Sequence, residues 1–446
     1  HTKLKTMAKP KLALIPAAQG SKFYSVLPSS GVGDFTFSRS GSATRINSQG
    51  LIETVGNGVS RLNYPLLDGK VVGCPHHILE PQRTNLMTYS EDFSNSYWTK
   101  SEVTVDVNSI ISPDGSLNAD AIIESTTPNA YHRVLKSSPI SGTGNTKYSC
   151  SVYVKKKGDT RNIYWLIQKG PDALYMHIDM TNYVINDSSD FGNGTLIYSS
   201  ITPVGNDWYR ISISGIVSNA DGDYYNQIYL NNQLGSGFGA SAYTGDGTSG
   251  LYLWGWQVEV GSYPTSYIKS NSGSTVTRSA ETANGSGDAD TFNDSEGVLM
   301  AEFSVFDFVT NSKAISIYKT SSPTTNAVIL YYNGNRIAFD IINPSGTVSV
   351  TTNINNAKEL NKVAIKYKSG DIALWFNGVE LVTRTNTLSL SGLDKLEFDF
   401  TTNNDLYGNT KQIQYYDSAL TDSELETLTS WVSFQDMAEG QLYSIQ

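Results

Sequence analysis

The feature of this 446-residue sequence that most constrains its fold is a recurrent alternation of apolar and polar residues. Residues 148–155 show it clearly, because Tyr148, Cys150, Val152 and Val154 fall on one face of an extended chain. The same alternation recurs along most of the sequence, at residues 163–167, 174–180, 209–213, 225–230, 299–305, 328–341 and 362–381. Strand side chains point alternately to the two sides of a sheet, so each segment predicts a strand with one buried face. We therefore predict an all-β protein of antiparallel sheets packed as sandwiches.

The alternation stops and restarts, and these changes divide the chain. We expect residues 1–85 to be an extended segment without a core of its own, which needs a partner to bury Phe35, Phe37 and Leu51. A first sandwich is expected at 86–270 and a second at 297–432. Between them, Ser, Gly, Asn and Asp fill residues 271–296 and predict a polar linker.

Two local predictions follow from the second half of the chain. Residues 421–431 form the one convincing helix, with Thr421 as its N-cap and Glu424 completing a capping box. The last strand of the first sandwich is expected to bury Trp254, Trp256, Val258 and Val260 on one face. Residues 433–446 are expected to form a C-terminal tail.

Composition excludes several classes of function. The net charge of −10 makes the chain a poor partner for nucleic acid. No apolar run reaches the roughly 20 residues of a membrane span, so we expect no membrane insertion. The start of the sequence lacks the apolar region and cleavage site of a secretion signal. Cys74 and Cys150 are too few for a disulfide framework and are expected to be free thiols.

Several segments resemble known bacteriophage proteins. Residues 33–53, 61–64 and 78–100, which include GDFTFSRSGSATRINSQGLIE, RLNY and ILEPQRTNLMTYSEDF, are similar to a recurrent segment of phage structural and tail-associated proteins. The ending WGWQVEVGSYPTSYI at 254–268 resembles the last strand of the jelly roll that follows in those proteins, a fold similar to carbohydrate-binding modules. Residues 297–432 look like a concanavalin- or laminin-G-type jelly roll, on the segments 362–381 and 413–429.

The resemblance implies two antiparallel jelly-roll β-sandwiches in a virion protein, such as a tail or head fibre. It implies assembly in the host cytoplasm and exposure outside the cell. The N-terminal segment would attach to other virion proteins, and the chain would form a homotrimer that serves host attachment through glycans. It supplies no catalytic residues, so we do not expect an enzyme.

Outward-facing rings and amides on the predicted strands of the first sandwich are the candidate glycan-binding residues. A flat ring beside a hydrogen-bonding amide suits a sugar, which presents both C–H faces and hydroxyl groups. These residues are Tyr164, Gln168, Tyr175, His177, Tyr225, Gln227 and Tyr229. The alternative is that these side chains pack between subunits, which would make the protein a purely structural virion component without a ligand.

Metal and catalytic sites are weakly indicated. The GCPHH motif, with Cys74, His76 and His77, lacks a second cluster of zinc ligands. Calcium accompanies jelly rolls of both resembled families, and Glu91 or Glu259 are conceivable ligands, so a structural calcium ion is the one cofactor left open. No local pattern singles out paired carboxylates or a nucleophile, and a polysaccharide depolymerase stays the second alternative.

Overall fold

A computed structural model describes residues 8–136, 140–158, 161–307, 313–400 and 405–432 of the chain. These residues form four large or medium sheets, several two-stranded ones and one short helix, and the strand pairs of the sheets are antiparallel. The predicted all-β class with antiparallel sandwiches is confirmed. The predicted tail at 433–446 lies outside the described residues. In the described part of the chain, no helix has the length and apolarity needed to cross a membrane.

The N-terminal region consists of short strands. They are β1 (Leu12–Gln19), β2 (Lys22–Leu27), β3 (Phe35–Ser38), β4 (Ala43–Ile46), β5 (Ile52–Val55), β6 (Leu62–Asn63), β7 (Leu66–Leu67), β8 (Lys70–Val71), β9 (His76–Leu79) and β10 (Arg83–Asn85). Strands β4 and β5 form one separate hairpin and β7 and β8 form another. Both hairpins lie in the stretch that follows β3.

The first sandwich is formed by longer strands. They are β11 (Trp98–Ser101), β12 (Val103–Ile111), β13 (Leu117–Glu124), β14 (His132–Lys136), β15 (Ile140–Gly142), β16 (Lys147–Lys157), β17 (Asn162–Lys169), β18 (Asp172–Asp179), β19 (Val184–Phe191), β20 (Thr195–Gly205), β21 (Trp208–Ile216), β22 (Gly222–Asn231) and β23 (Gly250–Val260). One sheet has the order β11-β14-β22-β17-β18-β19, with β15 also on β22, and the other β12-β13-β23-β16-β21-β20. The predicted inward residues of β16, β17 and β18 fill the core between them.

The second sandwich follows two short strands, β24 (Val276–Arg278) and β25 (Thr282–Asn284). Its elements are β26 (Glu296–Val305), β27 (Lys313–Tyr318), β28 (Ala327–Tyr332), β29 (Arg336–Asn343), β30 (Gly346–Asn353), β31 (Asn361–Lys368), β32 (Ile372–Phe376), β33 (Val379–Arg384), β34 (Lys395–Glu397), β35 (Gly408–Tyr416) and α1 (Asp422–Thr429). A sheet β30-β29-β28-β27-β34 packs on a larger one ordered β25-β3-β2-β1-β35-β26-β31-β32-β33. The predicted capping box of Thr421 and Glu424 begins α1.

The N-terminal segment differs from the prediction, because its first strands belong to the second sandwich. Strand β1 pairs with β35 and continues the larger sheet through β2 and β3. Phe35 and Phe37 are buried in the core of this same chain, so the expectation that they need a separate partner is wrong. Leu51 is half-buried and lies over Gly115 of the first sandwich. Local apolar content is low here because the core is shared with distant strands, as the pairing of Leu12 with Tyr415 and of Phe37 with Ala283 shows.

The segment 271–296 was expected to be a polar linker without buried residues, and this expectation is also wrong. Strand β24 pairs with β10, and β25 extends the larger sheet beside β3. Arg278, Glu281 and Ala283 are each at most 1% exposed. The polar composition of this segment led to the wrong prediction, because its buried Arg278 and Glu281 have their charges compensated by charged partners.

A buried ion cluster of five side chains joins these two segments. Glu281 accepts from Arg39 Nη1 and from Arg61 Nε, both at 2.8 Å, and also pairs with Arg61 Nη2. Glu80 pairs with Arg61 and Arg278, both at 2.8 Å. Three of these residues, Arg39, Arg61 and Glu80, belong to the segments that resemble phage proteins. Buried charges require such compensation, so the cluster fixes the N-terminal segment to the residues between the sandwiches.

The pKa values of the cluster show how well its charges are compensated. Burial alone raises the pKa of Glu80, but Arg278 and Arg61 lower it by more, to about 2. Burial likewise lowers the pKa of Arg61, and the carboxylates of Glu281 and Glu80 outweigh that effect, so the net shift is upward. Both groups are therefore charged at neutral pH.

The last strand of the first sandwich departs from simple alternation. Trp256 and Val258 lie in the core between the sheets, whereas Trp254 packs on the outer side of its sheet. Gly255, with a φ of 65°, lies at a bulge where the pairing of β16 with β23 shifts register. The bulge inserts one residue and moves Trp254 to the opposite face. The prediction that Trp254 and Val260 share the buried face of Trp256 is wrong, and Val260 is 51% exposed.

Candidate functional site

The seven predicted glycan-binding residues do lie on one face, the outer face of the sheet that contains β17, β18 and β22. Cross-strand pairing places Tyr164 between His177 and Tyr229 in one row. Gln168 lies beside Tyr225 in another row. The sequence pattern therefore brought the right side chains to one surface, because alternation along each strand fixes the face.

A glycine-rich segment at 232–242, which we call the strap, crosses this face. The amide of Gly239 donates to the Tyr164 hydroxyl at 3.1 Å. Nε2 of His177 is 2.7 Å from the carbonyl oxygen of Gly237, so this nitrogen carries the proton and donates. The Gly237 amide donates to the Asp187 carboxylate at 2.6 Å. The strap is thus held by its own backbone groups.

Gly235 shows why the strap needs glycine. A Cβ atom at this position would lie 2.7 Å from two atoms of the His177 ring. Only a residue without a side chain allows the backbone to lie flat on the imidazole.

The strap removes most of the predicted site from solvent. The residues exposed by 7% or less are Tyr164, Tyr175, His177, Gln227 and Tyr229. Burial lowers the pKa of His177 and raises that of Tyr164. Tyr225 remains 43% exposed and Gln168 is half-buried. In this conformation a ligand on the outer face can reach Tyr225 and Gln168 but not the other five.

Four side chains on this face remain accessible, and we call them the open patch. They are Tyr225, Gln168, Phe191 and Phe238. Phe191 is 48% exposed and Phe238 is 41% exposed. Their rings stack with centroids 4.5 Å apart. Tyr225 and Phe191 lie on strands three positions apart in the sheet, so about 14 Å separates them.

Phe191 and Phe238 were missed by sequence reasoning. Phe191 ends its strand, in SSDFGNG, and Phe238 lies within the glycine-rich GSGFGAS. A large apolar side chain inside a polar, glycine-rich stretch is the signal that could have found Phe238, since such a loop has no core of its own to fill.

The other end of the same face contains an arginine. Arg133 Nη1 donates to Gln227 at 3.0 Å and to the Tyr229 hydroxyl at 2.7 Å. Tyr131, 49% exposed, lies edge-on to the Tyr229 ring. These contacts hold Gln227 and Tyr229 in place and add a positive charge to the face.

Three of the residues considered for metal binding, His77, Glu91 and Glu259, are engaged in other contacts. His77 stacks on Phe23 with ring centroids 3.8 Å apart, and Cys74 is exposed. Glu91 pairs with Lys269 at 2.7 Å, and Glu259 accepts from the Thr265 amide at 3.0 Å. Within the described residues, no three His, Cys, Asp or Glu side chains are grouped to hold a metal ion. The structural calcium ion stays a prediction.

The two cysteines are free thiols, as expected from their number. Cys150 is completely buried, and burial raises its pKa. It therefore acts as a small core residue, with its sulfur 3.3 Å from Nδ2 of Asn226.

Comparisons with known proteins give fold likenesses only. No family model matches the chain, and no curated protein sequence matches it. Among solved structures, Ruminococcus gnavus IT-sialidase CBM40 bound to alpha2,3 sialyllactose is 16% identical, with a TM-score of 0.29, over 33% of this chain and 93% of that one. Domain 4 of AbnA, a GH43 extracellular arabinanase from Geobacillus stearothermophilus, in complex with arabinotriose, is 15% identical over 34% of this chain and 73% of that one, with a TM-score of 0.29.

A heptameric SAP-like pentraxin from Limulus polyphemus is 14% identical over 31% of this chain and 72% of that one, with a TM-score of 0.27. These neighbours are carbohydrate-binding and lectin-like β-sandwich folds. Each likeness spans about a third of the chain at a TM-score below 0.3, and we take no functional conclusion from it.

Proposed function

We propose that the first sandwich binds glycans through the open patch, and that the protein displays this sandwich on the surface of a phage virion. The observation that carries the proposal is the exposed tyrosine ring of Tyr225 beside the amide of Gln168, on a face otherwise closed by the strap.

The chemistry of the open patch suits a sugar. Exposed aromatic rings that do not pack inside a core offer flat apolar surfaces for the C–H face of a pyranose. Gln168 donates through Nε2 to the carbonyl of Gly170 at 2.9 Å, which orients its side chain. Its Oε1 can then accept from a sugar hydroxyl. The distance of about 14 Å between Tyr225 and Phe191 favours an oligosaccharide over a single sugar residue.

The virion location rests on the resemblance of residues 33–100 to phage structural proteins. Exposed apolar side chains on β1 and β2 support an attachment role for this region. Ile15 is 45% exposed, Tyr24 39% and Val26 47%, and Tyr24 and Val26 lie on the same face of β2. This surface, rather than the buried Phe35 and Phe37, would contact other virion proteins. A homotrimer would present three weak glycan sites together and raise their avidity.

A glycan array probed with the whole folded chain tests the binding proposal. We expect Tyr225→Ala to weaken binding of the preferred glycan about tenfold, the loss of ~1.4 kcal/mol from an aromatic contact. Tyr24→Ala is the matched control, because Tyr24 is similarly exposed on another region, and it should bind like the wild type.

Two outcomes would count against the proposal. If the folded chain binds no glycan, or if Tyr225→Ala binds like Tyr24→Ala, the open patch is not a sugar site and the purely structural alternative gains support. The glycan should also be recovered intact, since we propose that the chain is not an enzyme. Cleavage of the bound glycan would instead support the depolymerase alternative.

A further inference from the structure

A cavity of about 380 Å³ lies on the opposite side of the first sandwich from the open patch. We call it the junction cavity, because three parts of the chain line it. The N-terminal segment contributes residues of β4, β6 and β7, and the first sandwich contributes β20 and β21. The second sandwich contributes Phe306 and Asn409. Its volume falls within the roughly 300–1,000 Å³ of small-molecule sites.

Arg210 of β21 supplies a cation to this cavity. Its Nη2 donates to Ser151 Oγ at 2.8 Å and to the carbonyl of Thr265 at 2.7 Å. The guanidinium also lies 5.5 Å from the centroid of the Tyr153 ring. Its Nε is buried without a hydrogen-bond partner, and no ion pair among the described residues includes Arg210. The guanidinium is thus held in position while its charge lacks a carboxylate.

The charges next to Arg210 do not neutralise it. Glu80 also lines the junction cavity, but its carboxylate is taken up by Arg61, Arg278 and Ser266. The buried ion cluster holds three arginines against two glutamates, and the buried Glu259 beside it is 4.0 Å from Arg83. Together these groups carry one positive charge in excess. An anionic group in the cavity would therefore be favoured by both Arg210 and the cluster behind it.

The remaining lining has the mixed character of a sugar site. Aromatic rings and hydroxyl groups face the same space. They come from Tyr64, Tyr198, Phe306, Ser200, Thr202 and Ser212. Rings suit the apolar face of a sugar, and hydroxyls donate to and accept from its substituents.

We propose that the junction cavity binds a carboxylate-bearing sugar, with its carboxylate on Arg210 and its ring against the aromatic side chains. This site is separate from the open patch and does not depend on it. Both hydrogens of Arg210 Nη2 are already donated, so the carboxylate would accept a charge-assisted hydrogen bond from Nη1.

Titration of the whole chain with D-glucuronate, followed by saturation-transfer NMR, tests this proposal, with D-glucose as the neutral counterpart. We expect glucuronate to bind at least tenfold more tightly than glucose. Arg210→Gln should weaken glucuronate binding at least tenfold. Arg133→Gln is the matched control, because Arg133 likewise has no carboxylate partner among the described residues but lies on the other face, and it should leave binding unchanged.

A second variant separates loss of the binding site from misfolding that the loss of Arg210 could cause. Ser200→Trp leaves the arginine in place and fills the cavity, so it should also abolish glucuronate binding while thermal unfolding stays close to that of the wild type. Equal binding of glucose and glucuronate, or glucuronate binding that survives Arg210→Gln and Ser200→Trp, would overturn the proposal. Tyr225→Ala should not affect it, so the two sites fail or succeed independently.

Discussion

The two outer faces of the first sandwich are covered in different ways. The face with Tyr164 and His177 is covered by the strap, which directly follows β22 in sequence. The opposite face is covered by the hairpin of β4 and β5, which comes from far earlier in the chain and packs Ile52 against Trp254. One cover closes its face tightly, whereas the other leaves the junction cavity.

The difference follows from how each cover is attached. The strap binds through main-chain groups, and its glycine at 235 allows the backbone to lie directly on the His177 ring. The N-terminal segment is fixed at a distance by the buried ion cluster, and its larger side chains meet the sheet without filling every space between them. The strap therefore buries the side chains directly beneath it, while the anchored hairpin leaves a cavity between itself and the sheet.

Removal of a charge from the buried ion cluster should lower the stability of the protein more than any other change considered. Glu281→Gln leaves Arg39 and Arg61 without one of their carboxylates, and we expect the free energy of unfolding to fall by about 3–5 kcal/mol. Urea denaturation would measure it. Glu53→Gln is the matched control, because the Arg45–Glu53 pair is partly exposed, and it should cost less than about 1 kcal/mol.

If Glu281→Gln lowered the free energy of unfolding no more than Glu53→Gln does, the buried ion cluster would not be what fixes the N-terminal segment. The N-terminal segment would then be held by apolar packing alone. A variant that unfolds in two steps would instead show that the cluster joins parts that can separate.

A substitution in the strap should lower the stability of the protein by a smaller amount. Gly235→Ala places a Cβ against the His177 ring and should destabilise the protein by about 1–3 kcal/mol. Displacement of the strap would admit water to His177. Because burial is what lowers the pKa of this residue, its pKa should rise towards the ordinary value of 6.5. An NMR titration of the histidine ring protons measures this.

Gly56→Ala is the control for this substitution, because no atom of the described residues lies within 4 Å of the Cβ it would add. It should leave both stability and the His177 titration unchanged. If Gly235→Ala also leaves them unchanged, the strap moves freely, and the five buried residues beneath it return as candidates for direct glycan contact.

Much of the fold was predictable because strand alternation and turn residues act locally. The turn at Asn377 and Gly378 connects β32 and β33 with positive φ at both residues, a conformation that the Asn-Gly pair favours locally. The face of Trp254 was predicted wrongly because the strand was taken as regular, although Gly255 inside it is a signal of a bulge. The partners of β1 to β3 were not predictable either, because they depend on contacts with strands near the other end of the chain.

In the candidate site, too, local sequence predicted some features, whereas features that depend on other segments were missed. Alternation placed Tyr164, His177 and Tyr229 on one face correctly, but the strap that buries them reads in sequence as an ordinary polar loop. Arg210 was missed because the cavity that it lines forms only where three distant segments meet.

Crystals of the whole chain grown with the best glycan from the array would test the central claim most directly. We expect a sugar ring stacked on Tyr225, with a hydroxyl on Gln168 and the strap still in place. A glycan bound only to the second sandwich, or one that lies under a displaced strap without touching Tyr225, would contradict it.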